Sequence, residues 1–151
     1  MRAAGPHFDI LVVEDEALLV MDLEAMLEDE GHRLVGEAMS LSEVESLSLD
    51  APPDIAFVDI QLADNSSGLD VCRLIKDRWP SAAVVFLTAN PKMIPEDFLG
   101  AHGVIPKPFS RSGLLSAMRF IQQGISDPPP RQDRPQSFIP APAIDRAWAR
   151  G

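Results

Sequence analysis

"DIAFVDI", residues 54–60, is the stretch that decides the fold. Its centre, Ile55-Ala56-Phe57-Val58, is continuously apolar and too short for a helix. Such a run reads as a strand buried on both faces, which is the habit of a parallel sheet with helices on either side. The run ends on a single carboxylate, Asp59. A charge at the end of a buried strand either starts a turn or is presented for chemistry.

Reading outward, the pattern repeats. "FDILVV" at 8–13 is a second apolar strand that stops at Glu14-Asp15-Glu16. Leu19, Leu23, Met26 and Leu27 then fall on one face of a helix, and Gly31 stands where a helix C-terminus favours glycine. "RLVGEA" at 33–38 reads as a strand, and Ser40 or Ser42 caps a short helix reaching about Leu49. After Asp59, Asn65-Ser66-Ser67-Gly68 is a turn cluster before a helix that carries Leu69, Cys72 and Ile75 and stops before Pro80. "AAVVFLTA" at 82–89 is the fourth strand, "GVIPKPF" at 103–109 contains a fifth, and Ser110 caps a helix through Leu114, Leu115, Met118 and Ile121. Pro91 and Pro95 interrupt any helix over 90–100. Strands alternating with helices five times predict an α/β fold with a doubly wound, five-stranded parallel sheet.

Composition limits the function classes. The net charge of −10 opposes direct nucleic-acid binding, which needs clustered Lys and Arg. Cys72 is the only cysteine, so an intrachain disulfide is excluded, and a reducing cytoplasm fits. The N-terminus lacks a signal-peptide pattern, and no apolar run approaches the length of a membrane span. His7, His32 and His102 show no ligand-like spacing and read as structural or surface residues. From Asp127 onward, Arg131, Arg134, Arg146 and Arg150 face Asp127, Asp133 and Asp145, a net of +1, so the body carries the acid excess. Six prolines between Pro128 and Pro142 predict a flexible tail over 125–151 behind a domain over 1–124. Residues 143–150 are long enough for one or two helical turns, and Trp148 there is either a docking anchor or an exposed residue.

Polar residues gather at strand ends. Glu14 and Asp15 end the first strand, Asp59 the third, Thr88 the fourth and Lys107 the fifth. In a parallel sheet these ends share one edge, where ligands bind. Crowded carboxylates suit a hard divalent cation such as Mg²⁺. A carboxylate can also attack a phosphoryl group, whose oxygens an ammonium and a hydroxyl then stabilise.

Four motifs in order, "VVEDE" at 12–16, "FVDIQL" at 57–62, "FLTAN" at 86–90 and "PKPF" at 106–109, resemble the receiver domain of two-component response regulators. The resemblance covers residues 8–123 and implies a flavodoxin-like sheet of strand order 2-1-3-4-5. It implies Asp59 as phosphoacceptor for a histidine kinase or histidine phosphotransfer protein. It implies Mg²⁺ held by Asp15 and Asp59, by Glu14 through water and by the Gln61 carbonyl. Thr88 would bond the phosphoryl oxygen beside small Ala89, and Lys107 would pair with the phosphoryl group, followed by a cis bond to Pro108.

Two departures stand out. Lys107 follows Thr88 by 19 positions (107 − 88), about one helical turn short of the family pattern, so the fourth helix is expected to be shortened or irregular. The family's aromatic switch position is Val104, a stiff side chain without a hydroxyl. Reporting is therefore expected to fall on 90–100, with Asn90 and Val104 in the switch region. The tail is too short and Pro-rich for a DNA-binding output domain, so output through protein contact or phosphorelay is expected, without enzymatic turnover of another substrate. The alternatives are a phosphorylation-independent interaction module and an aspartyl-phosphate phosphatase. The latter typically carries a second Asp two residues after the first, where this chain has Gln61.

Overall fold

The computed structural model describes residues 7–149; residues 1–6 and 150–151, which include Arg150 of the tail, lie outside the described residues. The elements run β1 (Asp9–Val13), α1 (Ala17–Asp29), β2 (Arg33–Ala38), α2 (Leu41–Ser46), β3 (Ile55–Asp59), α3 (Gly68–Arg78), β4 (Ala83–Thr88), β5 (Gly103–Pro106), α4 (Arg111–Ser126), β6 (Ile139–Pro140) and α5 (Pro142–Ala149). The strands form one sheet in the order β2-β1-β3-β4-β5-β6. The first five are parallel, and β6 is antiparallel to β5. No helix among the described residues is long and apolar enough to cross a membrane.

Alternation along the strands builds two cores. Ile10, Val12, Ile55, Phe57, Val85, Leu87 and Ile105 face α1 and α4. Leu11, Val13, Ala56, Val58, Val84, Phe86 and Val104 face α2 and α3. Successive side chains of a strand point to opposite faces, so a strand covered on both sides must be apolar throughout. That is why β3 and β4 show no polar alternation until Asp59 and Thr88. Each Val, Leu, Ile or Phe so buried contributes about 1.5–3 kcal/mol.

The caps follow from side-chain oxygens. Ser40, Ser67 and Ser110 accept backbone N–H bonds from Glu43, Leu69 and Gly113 at the starts of α2, α3 and α4. α1 ends at a left-handed Gly31. Between β4 and β5 the expected irregular helix is reduced to two 3₁₀ turns, Pro91–Met93 and Phe98–Gly100. Phe98 and Leu99 both take left-handed backbone, φ 54° and 53°, a conformation costing about 1–2 kcal/mol per residue.

The five parallel strands keep the expected order 2-1-3-4-5, and the segment after α4, expected as a flexible tail, adds a sixth, antiparallel strand at the β5 edge. Ile139 and Pro140 pair with Val104 and Gly103, and Ala141 N–H donates to the His102 carbonyl at 2.8 Å. Phe138 is buried against Phe120, ring centroids 5.9 Å apart. Trp148 packs edge-on to Phe120 at 5.5 Å and is half-buried against the core. The cause is local: "SFIPA" places two large apolar residues among the prolines, and the β5 edge offers unpaired backbone groups to them. Pro140 is tolerated because a strand at the sheet border can do without one N–H.

Phe138 separates the two pictures. Phe138→Ala is expected to lower the stability read from urea unfolding by about 1–3 kcal/mol. The loss is smaller than for a central Phe because the segment can detach without global unfolding. An unchanged midpoint would show that the segment adds nothing to the fold.

Candidate functional site

The parallel register brings the strand ends together. Val13 lies opposite Val58, Asp59 opposite Leu87, and Thr88 opposite Pro106. Glu14, Asp15, Asp59, Thr88 and Lys107 therefore meet at one edge although 93 positions separate Glu14 from Lys107. The Lys107 N–H donates to the Thr88 carbonyl at 2.8 Å, which continues the β4–β5 ladder up to the lysine. The Lys107–Pro108 peptide is cis.

The Lys107 ammonium is the hub. It donates to Glu14 Oε1 at 2.8 Å and to Asp59 Oδ2 at 3.1 Å. The other oxygen of each acid is also held: Glu14 Oε2 accepts from the Glu16 N–H at 3.1 Å and Asp59 Oδ1 from the Gln61 N–H at 3.3 Å. Glu14 is 1% exposed and Asp59 8%, whereas Asp15 is open to solvent. The Thr88 hydroxyl oxygen is buried and accepts from the Asn90 N–H at 3.0 Å. That leaves its proton to donate elsewhere.

Electrostatics follow from one cation serving two buried anions. Burial pushes the Glu14 carboxyl up to about 7; its bond to Lys107 opposes this and the Asp59 charge adds to it. Burial alone would lower the Lys107 pKa, but the bond to Glu14 and the charges of Asp59 and Glu14 outweigh it and hold the ammonium above its ordinary value.

Oxygens of Glu14, Asp15 and Asp59 lie within 4.8 Å of one another. Three carboxylates against one ammonium leave a formal −2, a charge and an all-oxygen donor set that fit a divalent cation of the Mg²⁺ kind. The two hydrogen bonds that flank Gln61, from Leu62 N–H to Ser66 and from Gly68 N–H to Ile60, leave its carbonyl outside that bridge. Of the two residues expected in a switch region, Asn90 is exposed beside Thr88, while Val104 is 1% exposed within the α2–α3 core.

One residue of the site escaped notice. Gly68 reads in sequence as a turn glycine, yet it is buried as the first residue of α3, with a side-chain-sized space absent: a Cβ there would run into the Asp59 carbonyl and the Ile60 backbone. Its N–H donates to the Ile60 carbonyl at 2.7 Å. The helix start thus sits directly on the end of β3. The sequence signal was the capping Ser67 just before it, which marks position 68 as helix rather than turn.

With this geometry the family is decided. The chain belongs to the response regulator receiver domain family, whose model matches residues 10–119. It is 37% identical over 130 residues to the phyllosphere-induced regulator PhyR of Methylorubrum extorquens, an alignment covering 80% of this chain and 47% of that one. Its fold is similar to the PhyR receiver domain of Erythrobacter litoralis, with TM-score 0.69, 28% identity, and 84% and 98% of the two chains covered. It is also similar to the anti-anti-sigma factor PhyR of Bartonella quintana, with TM-score 0.59, 34% identity, and 72% and 44% covered. The chain spans about half the length of the curated relatives it matches first. It is accordingly a receiver of the kind found in signalling regulators.

Gly68→Ala should displace the end of β3. We expect a destabilisation of about 1–3 kcal/mol in urea unfolding, the usual cost of overpacking, together with loss of the Asp59–Lys107 contact in the variant's crystal structure. A variant as stable as the parent, with Asp59 unmoved, would contradict the close approach.

Proposed function

We propose that Asp59 accepts a phosphoryl group from a histidine kinase or histidine phosphotransfer protein, and that the modified chain acts through protein contact or phosphorelay. The observation that carries this reading is the Lys107 ammonium bonded at once to Glu14 and Asp59, with Asp15 beside them. A lone structural lysine needs one acid; a lysine shared between two carboxylates, with a third beside them at a sheet edge, is poised to follow charge as it moves.

In the reaction a carboxylate oxygen of Asp59 attacks phosphorus, the P–N bond of the donor phosphohistidine breaks, and its electron pair returns to the imidazole. Asp59 is positioned by the buried β3 strand and by the Gln61 N–H. Lys107 then exchanges a carboxylate for a phosphoryl oxygen, and the Thr88 proton supplies a second donor. Asp15, Asp59, Glu14 and the Gln61 carbonyl would hold Mg²⁺, which supplies neutralisation of the phosphoryl oxygens when bound. Asn90 and Gln61, both exposed, flank the acceptor where water must approach. The compartment this reading requires is the cytoplasm. The anti-anti-sigma name carried by one relative is a protein-contact role and supports an output of that type.

Reporting is assigned to 90–100. Val104 is locked in the core and has no ring to swing. The segment from Asn90 to Gly100 instead begins two positions after Thr88 and holds the strained pair Phe98 and Leu99. Strain of this kind is kept where a segment has a second conformation to reach.

Incubation with acetyl phosphate and Mg²⁺ is expected to add one phosphoryl mass as an acid-stable, base-labile adduct that Asp59→Asn abolishes. An adduct persisting in Asp59→Asn, or none in the parent, overturns the reading. With beryllofluoride and Mg²⁺, the amide NMR shifts of 90–100 should move; shifts fixed there on a loaded sample would remove this segment from the reporting role.

A further inference from the structure

The segment after α4 is docked onto the border of the sheet in a way that links it to the site. Two glycines make room for it. At Gly103 in β5 a Cβ would meet the Ile139 carbonyl and the Phe138 ring; at Gly124 in α4 it would meet the Trp148 indole. Glycine inside a helix costs about 1 kcal/mol against alanine. Gly124 therefore carries a penalty that the seated Trp148 accounts for. The Ser137 hydroxyl donates to the Gly113 carbonyl at 2.7 Å, and Gln123 Oε1 accepts from the Arg131 N–H at 2.9 Å, so the path to the docking site is guided.

The docking is also marginal. β6 is two residues long, Ile139 is 40% exposed, and α5 has no fully buried residue. His102, whose ring lies 6.2 Å from that of Trp148, keeps a buried Nδ1 without a partner. An unsatisfied buried nitrogen weighs against the docked state, because water would satisfy it on release.

β5 is the shared part. Its first residues, Gly103 and Val104, pair with β6, and its last, Pro106, pairs with Thr88 and leads into Lys107. Lys107 lies three positions after the β6-paired Val104 and directly follows the end of the same strand. When Lys107 shifts from carboxylate to phosphoryl oxygen, β5 either carries β6 with it or parts from it.

We infer that residues 137–149 form an intramolecular latch over the β5 edge and the adjoining groove of α4, and that docking of the latch and loading of Asp59 disfavour each other. This rests on the reading of Asp59 as acceptor. Loading then uncovers a strand border able to pair with an extended segment of a partner. Linkage is reciprocal: whatever opens the latch strengthens loading by the same factor.

The test is made on the full chain with Mg²⁺ and beryllofluoride, occupancy being read from the fluorine resonance of the bound ion. Expected is faster hydrogen exchange at 103–104 and 139–141, and a moved Trp148 indole resonance, in the loaded form. Gly124→Ala, which unseats Trp148, should tighten beryllofluoride binding several-fold, within the roughly 5–150-fold span of coupled sites. A filled site with unchanged exchange and unchanged Trp148 overturns the latch and leaves the acceptor reading intact. An empty site in the parent chain overturns the acceptor reading and the coupling with it. Gly124→Ala that is merely more stable, with Trp148 still seated and affinity unchanged, overturns the latch as well.

Discussion

Mutual repulsion of the carboxylates at the sheet edge is the constraint on which the rest of the structure depends. Glu14 and Asp59 are nearly out of solvent, and burying two carboxylates side by side is costly without a counter-charge. Lys107 supplies it, but only because β5 lies one strand beyond β4 and ends level with Thr88. Sheet order, strand length and the ladder bond from Lys107 to Thr88 are thus all needed to bring one ammonium to two acids. The compensation is incomplete, as the raised Glu14 carboxyl shows. A site balanced in this way responds to any added positive charge or to relocation of the negative one.

Much of this was legible in the sequence because buried parallel strands announce themselves. Once β1, β3, β4 and β5 are read as apolar runs, the residues that end them are placed by topology, and Glu14, Asp15, Asp59, Thr88 and Lys107 converge without any further information. The irregular path between β4 and β5 was legible too, from Pro91 and Pro95. Gly68 was not, since its role depends on how closely the start of α3 rests on the end of β3, a distance no local pattern encodes. The latch was hidden for a different reason. Its prolines match the composition of a disordered tail, and only the recesses at Gly103 and Gly124, far away in sequence, make Phe138 and Trp148 fit.

The segment between β4 and β5 shows how a lost helix is replaced. Two 3₁₀ turns cover the α3 side of the sheet with Ile94, Phe98 and Leu99. Cover is achieved at the expense of two left-handed residues, and the Leu99 carbonyl is met by the Cys72 thiol at 3.8 Å. At its start, the Asn90 N–H donates to the Thr88 hydroxyl oxygen at 3.0 Å. Core cover and the polar contact to Thr88 therefore draw on one short stretch of backbone, which leaves it little room for substitution.

The two borders of the sheet are guarded by different means. β2, at one end, shows solvent the exposed charges Arg33 and Glu37, which discourage a second sheet from adding there. At the other end β5 has no charge of its own, only Gly103, Val104, Ile105 and Pro106. Its protection comes entirely from the covering pair Ile139 and Pro140, and the ring of Pro140 has no N–H to offer a further strand. A chain from which this cover is cut by a protease would keep Asp59, Lys107 and the acid cluster but carry a neutral, unpaired strand at its rim. The first property to fail in such a fragment would be colloidal: it would associate edge to edge at concentrations where the intact chain remains dispersed.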